Sequence, residues 1–411
     1  MKLTALLALC LSLVLSAFAQ DRNRIAGTIL NNSTGQPVPN ASVFINGTSK
    51  GTVSRSDGGF ELTGINKGSF ELVVSSVGFQ TLVLQLSSDT LPIAIELRLQ
   101  PRMQELESVT VMPWERGSWK KYGRTFIEGF IGTSAAAQDC EIRNKKALRF
   151  RYASKAKVLE VMADEPLIIE NKALGYRITY QLEGFTRNWK LRTVVFTGYS
   201  FFEELQGNPQ KQQEWKEKRK QVYKGSLMHF IRSLYNDRLS QDSFEVRRLR
   251  KVPNVEKLRI QKLNEMEKQH KIVQGGRISF PTQGKVQKDS LNYFQQILKQ
   301  DDSLALIGKY LLNADSLITT GIDSTKTIFF QDYLQVVYRK AQEEKEYLYD
   351  YRIFRPAGFQ KSLIRLTPAL PIVIQRSGLF FPPQNVFTID YWGWSEKVSH
   401  MLPWDYQPDR L

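Results

Sequence analysis

Histidine and cysteine are nearly missing from this chain. Its 411 residues include three histidines, His229, His270 and His400, and two cysteines, Cys10 and Cys140. A zinc carboxypeptidase needs a histidine and a glutamate at close spacing plus a distant histidine, and none of the three stands in that pattern. His270 has Glu267 before it, but Glu265-Met266-Glu267-Lys268-Gln269 reads as a solvated helix face. No metal or cofactor ligand is assigned, and zinc carboxypeptidase activity is not expected. Two cysteines cannot staple a disulfide scaffold, and Cys140 has no neighbouring histidine to activate its thiol. The Gly-x-Ser-x-Gly elbow, the phosphate-binding Gly-x-x-x-x-Gly-Lys and His-Glu-x-x-His are also lacking. Ser118-Trp119-Lys120-Lys121 fits Ser-x-x-Lys, but the rest of that catalytic set is absent. No catalytic residue is assigned.

Long apolar runs are missing too. The longest, Thr4 to Leu15, is twelve residues, too short at about 1.5 Å per residue to span a hydrocarbon core of about 30 Å as a helix. Lys2 precedes it, and Ala17-Phe18-Ala19 follows as a small-x-small cleavage site. Residues 1–19 therefore read as a signal peptide with cleavage between Ala19 and Gln20. The expectation is an exported protein, periplasmic or associated with the outer membrane, with no transmembrane helix in the mature chain.

What is present begins with strands. Residues 25–99 are rich in β-branched residues, glycine and turn signals, with no helical period. Ile25 to Ile29, Ala41 to Asn46, Gly51 to Ser54, Phe60 to Leu62, Gly68 to Ser75, Thr81 to Leu86 and Ile93 to Leu99 read as seven short strands. Turns such as Asn31 to Pro37 and Ser56-Asp57-Gly58-Gly59 separate them, which predicts a β-sandwich.

Gly27-Thr28-Ile29, Thr34-Gly35-Gln36-Pro37-Val38, Ala41-Ser42-Val43, Gly47-Thr48, Gly51-Thr52, Asp57-Gly58-Gly59-Phe60 and Val77-Gly78-Phe79 follow one another in order. In that order they resemble the carboxypeptidase regulatory-like domain, a transthyretin-like sandwich. The resemblance implies a non-catalytic folding or docking unit. That module is found on secreted carboxypeptidases and on Bacteroidota envelope proteins, where it precedes the plug of TonB-dependent transporters. Leu106 to Val111 is similar to the short strand that follows it there, with a last strand or an extended linker between Pro101 and Pro113 as the plainer reading.

From Trp114 aromatic and basic residues rise. Period-two stretches over 147–199 predict an antiparallel meander, and Pro209 opens a helical stretch that Gly225 interrupts. Further helices are expected over 254–273 and 290–299, the latter capped by Asp289 or Ser290. Strands follow over 327–338, 363–366, 372–375 and 386–391. The fold class is thus mixed: a seven-stranded N-terminal β-sandwich (20–100), a linker (101–124), then an α+β domain (125–411) with a helical insertion over about 208–300. This larger region resembles only uncharacterised companions of the module. Glu170 and Asn171 are a candidate ligand site, with turn capping before Gly175 as the plainer reading.

Acidic residues are outnumbered, 41 against 57 Lys and Arg, for a net charge of +16. Export removes nucleic acid as a routine partner and leaves lipid headgroups and acidic polysaccharide as the polyanions within reach. Lys216, Lys218, Arg219 and Lys220 are the candidate anion-binding set for peripheral contact with an anionic membrane surface. Interleaved Glu214 and Glu217 also fit a solvated, mixed-sign face. Trp392, Trp394, Trp404 and Tyr406 either stack on sugar rings or close the core with a C-terminal strand. Asp89-Thr90-Leu91 and Asp323-Ser324-Thr325 resemble the O-glycosylation signal of exported Bacteroidota proteins, so Thr90 and Ser324 are candidate acceptors. The reading that follows is a non-enzymatic cell-envelope protein, a docking module joined to a region binding a protein partner or glycan. Its alternative is an exported polysaccharide or cell-wall hydrolase using a carboxylate pair, for which Asp164-Glu165, Glu203-Glu204 and Asp301-Asp302 are the compositional candidates.

Overall fold

The computed structural model describes residues 23–102, 114–274, 284–322 and 325–408. Its seven N-terminal strands are β1 (Ile25–Asn31), β2 (Ser42–Ile45), β3 (Gly51–Val53), β4 (Gly59–Leu62), β5 (Ser69–Ser75), β6 (Leu82–Ser87) and β7 (Ile93–Leu99). They form two sheets, β4-β1-β7 and β3-β2-β5-β6. Alternation along each strand sends Ile25, Ile29, Val43, Phe60, Leu72 and Leu99 into one shared core. β1 and β7 run parallel, from Ile25 opposite Ile93 to Asn31 opposite Leu99. The strand read over Leu106–Val111 lies outside the described residues, as does the Ala19–Gln20 bond.

The larger region starts with β8 (Glu115–Arg116) and a helix, α1 (Trp119–Phe130), which spans the boundary expected at residue 124. Then come β9 (Cys140–Ile142), β10 (Leu148–Ala153), β11 (Val158–Ala163), β12 (Leu167–Asn171), β13 (Tyr176–Asn188) and β14 (Thr193–Glu204). Their sheet runs β8-β10-β11-β13-β12-β9, and β14 pairs with β13. Tyr122, Phe126 and Phe130 repeat every fourth residue, so α1 turns one aromatic stripe onto this sheet. Phe126 meets Phe185 at 5.0 Å and Phe130 meets Tyr180 at 5.1 Å, both edge to face.

The expected helical insertion contains α2 (Pro209–Tyr223), α3 (Leu227–Tyr235), α4 (Val255–Gln274) and α5 (Gly284–Lys299). Pro209 opens α2 and the Asn208 carbonyl oxygen of the side chain accepts from Lys211 N at 2.8 Å, a regular N-cap. Ser226 caps α3 through His229 N in the same way. The third helix begins at Gly284, so Asp289 and Ser290 lie inside it rather than at its cap. The insertion is also not purely helical. β15 (Phe244–Pro253) lies between α3 and α4 and serves as an inner strand of the sheet β16-β15-β19-β20-β23. The others are β16 (Ser303–Ile307), β19 (Tyr333–Gln342), β20 (Phe359–Leu366) and β23 (Val386–Asp390). A smaller sheet orders β17 (Ile318–Thr320), β18 (Lys326–Ile328), β21 (Ile372–Ile374) and β22 (Phe380–Phe381). Phe230, Ile231 and Leu234 of α3 join Val246, Leu334, Val336, Ile364 and Trp392 in a core between these layers.

Two short helices remain, α6 (Lys345–Asp350) and α7 (Tyr391–Ser395). The latter corrects the expectation of a C-terminal strand through Trp392 and Trp394. Asp390 has φ +60° and ψ −130°, which ends β23 and turns the chain into a helical turn. Both indoles are buried, as the core reading required. Among the described residues no helix is long and apolar enough to cross a membrane.

Candidate binding cleft at the sandwich junction

The tip of the β2–β3 hairpin joins the sandwich to the larger region. Gly47 N donates to Ser200 O at 2.6 Å, Phe202 N to Thr48 O at 3.0 Å, and Ser200 N to the Asn46 side-chain oxygen at 2.9 Å. Thr48 and Phe201 thereby form a parallel bridge on β14. The C-terminal segment closes the joint from the other side. Trp404 N donates to Gly47 O at 2.7 Å, and Asp405 accepts from Ser49 N at 3.1 Å and Ser49 Oγ at 2.6 Å. Gly47 has φ +70°, and the Trp404 indole occupies the place a Cβ would take; only glycine fits both conditions.

Two open clefts of about 590 and 630 Å³ adjoin this joint and share Glu204. The first lies among Glu170, Arg177, Glu203, Glu204, Lys211 and Trp215. The second adds to Tyr176 of β13 and Glu204 of β14 residues from three other parts of the chain. Ser49 comes from the sandwich, Gln212, Gln213 and Lys216 from α2, and Asp405, Tyr406 and Gln407 from the C-terminal segment. Arg219 lines the second cleft. Its guanidinium lies 3.9 Å over the Tyr176 ring and donates to Leu174 O at 2.7 Å, Gly175 O at 3.1 Å and Glu204 Oε1 at 2.6 Å.

The candidate anion-binding set is therefore divided. Lys216 and Lys218 are exposed and Lys220 half-buried, whereas Arg219 is buried and faces inward. Lys218 Nζ donates to Gln221 Oε1 at 3.1 Å. Asn171 is buried and caps a turn, its side chain accepting from Leu174 N at 3.0 Å and donating to Ser399 O at 2.9 Å. Glu170 lines the first cleft and pairs with Arg177 at 3.4 Å. Of the compositional carboxylate pairs, Asp164 binds Arg149 and Asp302 binds Lys257, while Glu203 and Glu204 both line the first cleft, Glu203 opposite Arg177 in the β13–β14 ladder. Thr90 is exposed on a 3₁₀ turn, with its hydroxyl donating to Ser87 O at 2.7 Å; Ser324 lies outside the described residues.

Three acids that burial raises lie elsewhere. Burial raises the Glu396 carboxyl to about 7, against the Leu227 N–H it accepts at 2.8 Å and the charge of Lys397. Burial likewise raises Glu344 and Asp390, and none of the three lines either cleft. It lowers the imidazoles of His229 and His400 to about 4 and raises the Cys140 thiol to about 12, so near neutral pH the three groups are uncharged. Among the described residues no cluster of three or more His, Cys, Asp or Glu could hold a metal ion.

Glu396 sets a pH dependence. A carboxyl whose folded pKa exceeds its unfolded value stabilises the fold at low pH and loses that contribution as pH rises through about 7. Glu396→Gln keeps an acceptor for Leu227 N–H and cannot ionise. Between pH 5 and 7.5, below the titration of Lys397 near 8, the wild type is expected to lose on the order of 2 kcal/mol relative to the variant. Urea denaturation at both pH values reads this directly; parallel curves would mean that Glu396 ionises without cost.

Residues 25–111 match the profile of the CarboxypepD_reg-like domain. A TonB-dependent receptor of Formosa agariphila is 32% identical over 110 residues, 26% of this chain and 10% of the receptor. The chain thus matches only a tenth of that relative's length. Among solved structures, a chain of a type II cohesin–X-dockerin complex from Acetivibrio cellulolyticus aligns at 21% identity over 19% of this chain and 58% of its own, TM-score 0.17. A protein of unknown function from Bacteroides fragilis aligns over 87% of this chain and 91% of its own at 11% identity, TM-score 0.15. Likenesses at that level assign no residue and no ligand. The domain match covers the sandwich and the segment just after it, and the second cleft draws only Ser49 from it.

Proposed function

We propose that this is an exported, non-enzymatic cell-envelope protein in which a carboxypeptidase regulatory-like domain is docked on an α+β body, and that the cleft at their junction binds a glycan. The observation that carries this reading is the makeup of the second cleft. It gathers side-chain amides (Gln212, Gln213, Gln407), the Ser49 hydroxyl, the carboxylates of Glu204 and Asp405 and the Tyr406 ring in one open groove. Amides and carboxylates match the paired donor and acceptor hydroxyls of sugars, and tyrosine adds an apolar face with a polar tip. Glu396, Glu344 and Asp390, whose carboxyls burial raises, line neither cleft, which supports binding over acid–base hydrolysis. Residues 1–19 support export through their signal-peptide pattern.

Calorimetric titration with a panel of neutral and acidic polysaccharides is the test. At least one glycan is expected to bind, and Gln212→Ala/Gln213→Ala is expected to weaken it about tenfold while leaving the melting temperature unchanged. No heat from any member of the panel, or wild-type affinity in the double variant, would remove the cleft as a glycan site.

A further inference from the structure

Exposed aromatic side chains gather between Tyr349 and Phe359. Phe354 is 97% exposed and Tyr349 84%, with Tyr351 at 53% and Phe359 at 45%. The segment is nonetheless held firmly from beneath. Glu343 accepts from Arg355 Nη1 at 2.6 Å, Arg355 Nη2 at 2.9 Å and Gly358 N at 2.9 Å. Ile353 N donates to Leu348 O at 2.8 Å, and its side chain packs on Tyr347, Tyr391 and Trp394. A loop anchored by one residue while its neighbours display a bare phenyl ring gains nothing in folding from that ring. Exposed apolar clusters of this kind mark contact surfaces.

The acids of the segment are mostly engaged: the Glu343 side chain is 2% exposed and that of Glu346 19%, and Asp350, itself exposed, accepts from the Trp394 indole at 2.8 Å. Basic groups turn outward. The Lys345 side chain is 91% exposed, 3.9 Å from Glu346 Oε1, and Arg352 is exposed with no ion pair among the described residues. A sugar site is concave and carries placed polar groups, whereas Phe354 is 97% exposed and has no polar atom with which to read hydroxyls. A deformable anionic surface satisfies both features, with phenyl and phenol rings entering the headgroup–acyl boundary and cations meeting phosphates.

We propose that the 345–359 segment is a membrane-contacting face, in which Tyr349 and Phe354 insert into an anionic bilayer while Lys345 and Arg352 pair with its lipid phosphates. This rests on the envelope location proposed above, but not on the glycan cleft. It also moves the membrane contact away from α2, whose lysines alternate with glutamates.

Cosedimentation of the purified protein with unilamellar vesicles of phosphatidylcholine, with and without phosphatidylglycerol, tests it. Binding is expected only with phosphatidylglycerol and is expected to weaken with salt. Tyr349→Ser/Phe354→Ser should reduce partitioning about tenfold or more with an unchanged melting temperature and unchanged glycan titration. Lys345→Gln/Arg352→Gln should reduce it and flatten the salt dependence, and Lys216→Gln/Lys218→Gln/Lys220→Gln should leave it as in the wild type. The proposal is overturned by absence of wild-type binding to phosphatidylglycerol vesicles. Equally, if the serine variant bound as wild type while the α2 variant did not, the contact would be electrostatic and on α2. Loss of glycan binding with vesicle binding intact would strike the cleft alone.

Discussion

Arg355→Met is expected to lower stability at pH 7 by about 3 kcal/mol, at the low end for a broken buried pair because the arginine is partly exposed. Glu343 stands at the turn between β19 and α6 with its side chain only 2% exposed. Burial alone would raise its carboxyl; the two Arg355 bonds, the Gly358 N–H and the arginine's charge outweigh that and hold it below the ordinary value. A depressed acid contributes stability above its unfolded pKa and loses it as pH falls through the folded one. In the methionine variant the carboxylate stays buried with a single N–H, and protonation relieves the cost. The gap between wild type and variant should therefore be largest at pH 7 and shrink on approach to pH 4. Urea denaturation at the two pH values measures it, and Glu343→Gln/Arg355→Met completes a double-mutant cycle. A gap under about 1 kcal/mol at pH 7, the range of exposed ion pairs, would show that solvent reaches Glu343.

Gly47→Val should detach the sandwich. The substitution forces a β-branched residue into φ +70° and puts a side chain into the Trp404 indole. The backbone cost alone is about 1–2 kcal/mol, and the clash displaces both Gly47 bonds, to Ser200 and from Trp404. The sandwich keeps its own core of Ile25, Phe60, Leu72 and neighbours, so it should stay folded while leaving β14. Small-angle scattering should show a larger radius of gyration, and protease should cut between the two parts. The second cleft would lose Ser49, and glycan affinity should fall by more than tenfold. An unchanged radius together with unchanged affinity would show that Gly47 does not hold the joint.

The sandwich was legible because each strand is short, alternates cleanly and is bounded by glycine and asparagine turns. α1 was not: Gly123 and Gly129 lower helix propensity and disguise the Tyr122, Phe126, Phe130 stripe. The structure accounts for both glycines, since Gly123 lies against Trp119 and Gly129 against Phe185. β15 was hidden by its own charge. Arg247, Arg248, Arg250 and Lys251 read as part of a solvated helical insertion, whereas alternation carries Phe244 and Val246 into the core. Arg219 misled for a related reason. In a lysine-rich stretch nothing local distinguishes the one cation that turns inward, and the carbonyls of Leu174 and Gly175 that receive it are some 45 positions away. The cleft was illegible altogether, because pattern reading works within a window and this site pairs Ser49 with Asp405.

That same pairing spans 356 positions, which makes the joint a late event in the life of the chain. At synthesis rates of about 5–20 residues per second, the hairpin waits roughly 20–70 s for its partner to exist. During that interval its tip must shed chance neighbours, and Asn46, Thr48, Ser49 and Lys50 give it a hydrophilic cover with little to adhere to. Gly47 adds no side chain at all. The last residues described thus work as a latch, engaging a module made long before them, and a chain cut short before Trp404 would hold the hairpin tip by its β14 bonds alone.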